Sequence, residues 1–430
     1  MARMSEKIPL PRGTQDVLPA DWRLRARVLD TARARFEGAG FGRISTPTFE
    51  HTELFHRGVG EATDIVGKET YTFEDRGGRS LTLRPEGTAG VSRAFVEGGL
   101  HREPLPVKLW YSMSMFRYEK PQKGRLREHE QLGCEVLGSE LAAVDAEVIA
   151  VQAGIYRDLG LPDLTLQVNS VGSGDARAAY REALVAYLRP FEAELDRDSR
   201  ERLATNPLRI LDSKDERTRE IVADAPRLPQ FLTDDDRRHL DQVLALVDAA
   251  GIDHVLDPLL VRGLDYYTRT VWEFTSSALG AQSTVGAGGR YDGLVQQLGG
   301  PETPAVGFGS GIERIVLCLD ALGQKTSARP TDAFVGVRPD AGDAAWSRAF
   351  RIATQLRERA RHVELDLGGR SPKGQAKQAS RLGATVRVLV DDLGARMFLP
   401  GDHDGVDLPA DVDASVGQVD AQLVAAAAPR

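Results

Sequence analysis

Apolar positions recur with a helical period between Asp21 and Gly38 (DWRLRARVLDTARARFEG), placing Trp22, Val28, Leu29, Ala32 and Phe36 near one face. The pattern predicts an amphipathic helix that stops at Gly38. A second helix is predicted over about 144–159, with Val144, Val148, Val151, Ile155 and Leu159 on one side. Other stretches read as strands. FGRISTPTFE (41–50) is extended and carries a proline suited to a sheet edge or an interface. SLTLRPEG (80–87), VKLWYSMSMFRYE (107–119) and EHEQLGCEVLG (128–138) have strand length and strand patterning. Several strands with short returns predict an α+β fold built on an antiparallel sheet flanked by helices.

From about 171 to 251 the chain becomes polar and helical without obvious chemistry, which reads as an inserted helical subdomain. Strand-like segments resume at LLVRGLDYYTRTVWEF (259–274) and QSTVGAGGRYDGL (282–294), implying one sheet interrupted by the insertion. After a break at QKTSARPTD (324–332), AFVGV, VELDL and TVRVLV alternate with helical patterns. That alternation predicts a small α/β domain with a largely parallel sheet. The expected division is therefore 1–325, containing the insertion, and 331–430. The last 40 residues are acidic and Ala-rich and offer no clear final strand.

Composition fits an ordinary water-soluble globular protein, with 41% hydrophobic and 27% charged residues in 430. No apolar run approaches membrane-spanning length, and the first residues lack a signal-peptide core; a cytoplasmic protein without a membrane partner is expected. Two cysteines exclude a disulfide framework or Cys-rich zinc site, and both Cys134 and Cys318 read as small buried hydrophobes. His129 and Glu130 adjoin without HExxH spacing, so a zinc hydrolase has no support, and no metal-ligand set is readable. Net charge is −8, yet eleven Lys or Arg face five Asp or Glu between Arg338 and Arg387. Such a local basic surface can bind RNA within an acidic protein, although charge alone fits a solvated helix face equally well.

The chemistry-bearing residues begin with the hairpin at 107–138. Period two sets Val107, Leu109, Tyr111, Met113, Met115 and Arg117 on one face, continuing to Glu119. Gln131 and Glu135 share a face of the returning strand. If the two faces coincide, one surface holds a guanidinium for phosphate and carboxylates for amino groups. Taken alone, the hairpin fits an exposed salt-bridged structure better. LRPEGT (83–88) adds Glu86 and Thr88, two apart in an extended segment. Arg262, Asp265, Tyr266 and Tyr267 are polar groups within an apolar strand-like run and require partners. GAGGRYDGL (286–294) permits close backbone approach to something flat. In AVGFGSGIERIVL (305–317), Arg314 lies in the first turn of a helix, where anions are favoured.

Together these motifs resemble the class II aminoacyl-tRNA synthetases. Phe116-Arg117-Tyr118-Glu119 is similar to their second signature, Gly307 to Arg314 to their third, and the stretch around Pro47 to the first, which forms a dimer interface. LRPEGT, QLGCEVLG, RGLDYYTRT and GAGGRYDGL resemble the histidyl-tRNA synthetase family in particular, over roughly 10–395. The resemblance implies ATP-dependent activation of L-histidine and its transfer to tRNA(His), by a homodimer using Mg2+. It implies that Arg117 and Arg262 are catalytic, and that Arg117, Glu119, Arg125 and Arg314 bind ATP. It implies that Glu86, Thr88, Gln131, Glu135, Arg262, Tyr266 and Tyr267 bind histidine, with Tyr291 shaping the pocket. Lys120 and Gln122 are expected at the tRNA acceptor end. The 331–430 domain is expected to bind the anticodon through Arg370, Lys373, Lys377 and Arg381. A second reading is a catalytically silent paralogue, the histidine-sensing regulatory subunit of ATP phosphoribosyltransferase. Such paralogues lack the C-terminal domain and tend to lose the motif arginines, whereas this chain keeps both.

Overall fold

The computed structural model describes residues 8–60, 63–161, 163–280, 283–324 and 329–427. Gln282, at the start of one expected strand, and residues 325–328 of the expected break at 324–332 lie outside them. The chain divides into two compact units, Met1–Thr326 and Ser327–Arg430.

The first unit contains strands β1 (Gly42–Arg43), β2 (Phe49–His51), β3 (Tyr71–Glu74), β4 (Ser80–Leu83), β5 (Val107–Phe116), β6 (Glu128–Leu137), β7 (Leu164–Ser170), β8 (His254–Leu256), β9 (Thr268–Ser276), β10 (Thr284–Arg290) and β11 (Ala305–Gly311). Eight form one sheet in the order β1-β5-β6-β11-β10-β9-β7-β8. Its six central strands pair antiparallel, and only the edge strands β1 and β8 pair parallel with their neighbours. The remaining three make a small sheet, β2-β4-β3.

One face of the large sheet is covered by helices. Val28, Ala32 and Phe36 of the helix Pro19–Gly38 and Val148 and Ile155 of Ala142–Asp158 pack on Trp110, Cys134, Phe308 and Trp272. Phe36 stacks on Trp110 at 5.3 Å. The first helix ends at Gly38 as expected but starts two residues earlier, at Pro19. Trp22 is half exposed, on the solvent side. The helix runs through Gly38 and is closed by Gly40, whose φ of 80° lets its N–H reach Glu37 while the Phe41 N–H reaches Phe36. Both cysteines are buried in this layer, as read from their apolar surroundings.

The polar segment is helical, but less of it leaves the sheet than 171–251 suggested. Leu240, Val243 and Val247 of the helix Asp234–Ala249 belong to the same core as the sheet. The shorter elements from Gly174 to Gln230 instead pack around Tyr180, Leu184 and Ile210, beside the opposite face. A second correction concerns 259–267. Residues 261–267 form a loop and β9 starts only at Thr268, so Arg262, Asp265, Tyr266 and Tyr267 are not strand residues. Their polar groups are met by side chains and not by a ladder.

In the second unit, β12 (Ala333–Val337), β13 (Val363–Leu365), β14 (Val386–Val390), β15 (Ala395–Phe398) and β16 (Val406–Asp407) are ordered β13-β12-β14-β15-β16. The three expected strands are parallel, whereas β15 and β16 add antiparallel to that edge. The acidic tail is structured. Val412, Val416, Val419 and Leu423 of the helix Val412–Ala427 are buried against the sheet, a spacing the many alanines obscure. Among the described residues, no helix is long and apolar enough to cross a membrane.

Candidate active site

Register settles which residues share the uncovered face. Met113 pairs with Gln131, Tyr111 with Gly133 and Leu109 with Glu135. Gln131, Gly133 and Glu135 pair in turn with Gly311, Gly309 and Gly307, and Gly307 with Gly289. Because side chains alternate, Tyr111, Gln131 and Glu135 rise from the face whose neighbouring positions are glycines. The glycines are required there. A Cβ on Gly307 would collide with the Glu135 carboxylate, and one on Gly309 with the Gln131 amide. A Cβ on Gly289 would lie 2.6 Å from the Tyr267 ring. The floor of the site is thus bare backbone with acidic and amide groups laid across it.

Glu135 is the centre of one end. Thr88 donates its hydroxyl to Oε1 at 2.8 Å, Tyr111 to the same oxygen at 3.1 Å, and Tyr291 to Oε2 at 2.5 Å. Burial pushes the Glu135 carboxyl up to about 8, against the three hydroxyl donors and with a further push from Glu86. Tyr266 lies against Tyr267 at 4.8 Å and Tyr291 at 5.5 Å, closing this end with aromatic surface. Glu86 and Thr88 do not share an extended segment as expected. The helix Thr88–Glu97 begins immediately, and both Glu86 oxygens accept its first N–H groups, from Thr88 at 2.7 Å and Ala89 at 2.8 Å. A carboxylate is favoured at a helix N-terminus, although burial raises the Glu86 pKa overall.

The other end is cationic. β5 stops at Phe116, so Arg117 is not the next residue of that strand face. The Phe116 N–H turns to Arg84, the Arg117 N–H to Arg127, and the Arg117 Nε donates to the Pro85 carbonyl at 2.8 Å. Arg117 still reaches Glu119, at 3.9 Å. Glu119 is buried and ion-paired with Arg125. Arg314 enters from the first turn of the helix Ile312–Ala321, bonding the carbonyls of Gly124 at 3.0 Å and Thr284 at 2.5 Å. Burial lowers the pKa of all three arginines, and the charges of Arg117 and Arg125 act on Arg314 in the same direction. His129, paired with Met115 on the adjoining strands, is driven to about 3 by burial and by the same three guanidiniums. Three guanidiniums around one carboxylate leave this end with excess positive charge, which favours an anion.

Arg262 touches both ends. Its Nη1 is paired with Glu273 at 2.7 Å and its Nε is buried without a partner. Its charge is felt by Arg117 on one side and by Tyr267 on the other. The structure therefore brings together Arg117, Glu119, Arg125, Arg262, Arg314, Glu86, Thr88, Gln131, Glu135, Tyr266 and Tyr267. Lys120 and Gln122 are exposed on the hairpin loop, where Gln122 and Arg125 bridge each other. Lys373 is exposed at the start of the helix Pro372–Arg381 in the second unit.

Two groups were missed from sequence. Tyr111 was placed on the strand face without a role and donates its hydroxyl to Glu135, as does Tyr291, which was expected only to shape the pocket. Glu273, which holds Arg262, carried no local signal.

The histidyl-tRNA synthetase family model matches residues 13–315. The histidine–tRNA ligase of Synechococcus elongatus is 52% identical over 384 residues, spanning 89% of this chain and 87% of the relative. That of Thermosynechococcus vestitus is also 52% identical, over 89% and 88% of the two chains. The apo histidyl-tRNA synthetase of S. aureus superposes with a TM-score of 0.78 at 35% identity, covering 96% of this chain and 100% of that one. On its motifs, the glycine-floored sheet and these likenesses, the chain belongs to the histidyl-tRNA synthetase family.

Proposed function

We propose that this protein activates L-histidine with ATP and transfers it to the 3′ end of tRNA(His). The observation that carries the reading is Arg262, a half-satisfied guanidinium between an arginine-lined anion site and a pocket of carboxylates and tyrosines. In the proposed reaction the histidine carboxylate attacks the α-phosphate of ATP. Pyrophosphate leaves with the electrons of the broken P–O bond, and the mixed anhydride remains. A ribose hydroxyl of the tRNA terminus then attacks the activated carbonyl and AMP departs. No enzyme nucleophile is needed, so the protein supplies position and charge.

Arg117 and Arg262 would flank the α-phosphate, Arg314 and Arg125 the outer phosphates, and Glu119 the adenine amino group. Glu86, Thr88 and Gln131 would receive the ammonium group. Glu135 and Tyr267 would read the two imidazole nitrogens, with Tyr266 and Tyr291 as walls. A ligand lacking those nitrogens leaves buried polar groups unmatched, which rejects it strongly. Among the described residues no three metal-ligating side chains cluster. Magnesium would be carried on the phosphate oxygens, with Glu273, the carboxylate paired to Arg262, on the same face. Magnesium supplies charge neutralisation of the pyrophosphate.

The unit Ser327–Arg430 is proposed to bind the anticodon, its exposed Arg370, Lys373, Lys377 and Arg381 meeting phosphate. Lys120 and Gln122 would face the acceptor end. A cytoplasmic homodimer is proposed as well. Phe49 and Phe73, both exposed and 6.3 Å apart on the small sheet beside Pro47, offer apolar surface for it. The regulatory-paralogue reading is disfavoured by the retained arginines and the second unit. ATP–pyrophosphate exchange with each of the twenty amino acids tests the whole reading. Exchange confined to histidine is expected, and its absence with histidine refutes the proposal.

A further inference from the structure

The loop 261–267 carries Arg262, Tyr266 and Tyr267 into the site yet makes no strand pairing of its own. What holds it comes from the inserted helical segment. Arg177, on the helix Gly174–Leu188, donates Nη1 to two loop carbonyls at once, those of Asp265 at 2.7 Å and Tyr267 at 3.0 Å. Its Nη2 lies 3.8 Å from the Asp265 carboxylate. Asn206, buried at the end of the helix Arg197–Thr205, donates to the same carboxylate at 2.8 Å. On the far side Gly60 approaches the same carboxylate closely, and a Cβ there would stand 3.2 Å from Asp265 Oδ2.

The carbonyls bracketing Tyr266 are thus pinned by one guanidinium, and the aspartate before it by an amide. These contacts line a cavity of about 890 Å³, with Arg181, Val185 and Leu208 among its other walls. They are at a cleft wall and not within close-packed core, so removing them opens little new void.

We infer that Arg177 and Asn206 are positioning residues for the amino-acid pocket, acting through Asp265 to fix Tyr266 and Tyr267. The inserted segment is on this view a supporting arm of the histidine site. This rests on the proposed function, and the controls separate the two: the parent protein's histidine-dependent exchange decides the function, and the variants decide the clamp.

The experiment is pyrophosphate exchange by the full chain, with the KM for histidine and the KM for ATP measured separately. Arg177→Ala is expected to raise the KM for histidine by about tenfold, the scale of a charge-assisted hydrogen bond, with the KM for ATP within about twofold. Asn206→Asp sets a second carboxylate against Asp265 and is expected to act likewise. Asn206→Asp combined with Asp265→Asn restores a donor and an acceptor in reversed sense, and is expected to recover most of the histidine affinity. Parallel changes in both KM values, or no recovery in the double variant despite an unchanged melting temperature, would overturn the clamp. Should Arg177→Ala fail to fold, the Asn206 pair decides alone.

Discussion

The Tyr291 hydroxyl donates to Glu135 at 2.5 Å, within a carboxylate that also receives Thr88 and Tyr111. Burial outweighs these donors and raises the carboxyl from its ordinary 4.5 to about 8. The folded protein therefore holds a proton there that the unfolded chain gives up. The stabilising share is intact below about 4.5 and is lost as pH rises through about 8. Glu135→Gln carries no such titration. Melting temperatures of the ligand-free proteins, taken from pH 5 upward, are expected to converge or cross in the variant's favour by about pH 8. A constant difference across that range would contradict the assignment.

The glycine floor leaves no room for a methyl group. Gly307→Ala is expected to displace Glu135, and Gly309→Ala to displace Gln131. Each substitution should cost about 1–3 kcal/mol in chemical unfolding and raise the KM for histidine well beyond that for ATP. Wild-type kinetics in both variants would show that the carboxylate and the amide do not need their observed positions.

Arg262→Ala removes the guanidinium shared by the two ends of the site and releases Glu273. Adenylate formation should fall by about a hundredfold or more in kcat, as for loss of one preorganised charge donor, with ATP binding much less affected. Rapid-quench measurement of the single-turnover rate alongside equilibrium ATP binding distinguishes these. Equal losses in both would remove Arg262 from the transition state.

Behind the sheet, Asp145 is fully buried and accepts from His239 at 2.7 Å, Thr270 at 2.7 Å and the fully buried Arg290 at 2.5 Å. Asp145→Asn removes one of the two carboxylates on that guanidinium, leaving it Asp292 at 3.0 Å and the carbonyls of Ser139 and Leu141. A loss of about 1.5–3 kcal/mol in urea unfolding is expected, the scale of a hydrogen bond to a charged group. Arg290 adjoins Tyr291, so weaker histidine binding should accompany the loss.

The second unit has its own core, centred on Val335, Val388 and Val416. Removing 331–430 should leave histidine-dependent pyrophosphate exchange largely intact while abolishing most charging of tRNA. Undiminished charging by the shortened protein would refute the anticodon assignment.

Much of this was legible from periodicity. Alternation along 107–116 and 128–137 set Tyr111 on a face of the first strand and Gln131 with Glu135 on a face of the second. That the two faces coincide is fixed by the register, which periodicity within one strand does not contain. Arg117 was placed on the face of Tyr111 by the same count, and there the count overran the strand, since Phe116 and Arg117 turn their N–H groups to Arg84 and Arg127. The loop 261–267 was misread for a physical reason. Its apolar residues are buried by the inserted helices and not by sheet pairing, and burial alone does not distinguish the two. The contact between Arg177 and Asp265 spans 88 positions and leaves no local trace. The final helix was hidden because alanine, its commonest residue, hardly contrasts buried with exposed positions.

His129 is held at about 3 by burial beside Arg117, Arg314 and Arg125, so its ring is uncharged at every pH where a cell works. The guanidiniums around it stay protonated across the same range, as arginines do. Glu135, at about 8, is the group that responds near neutrality. The arginine end thus keeps its charge across the range in which the carboxyl at the other end changes its own.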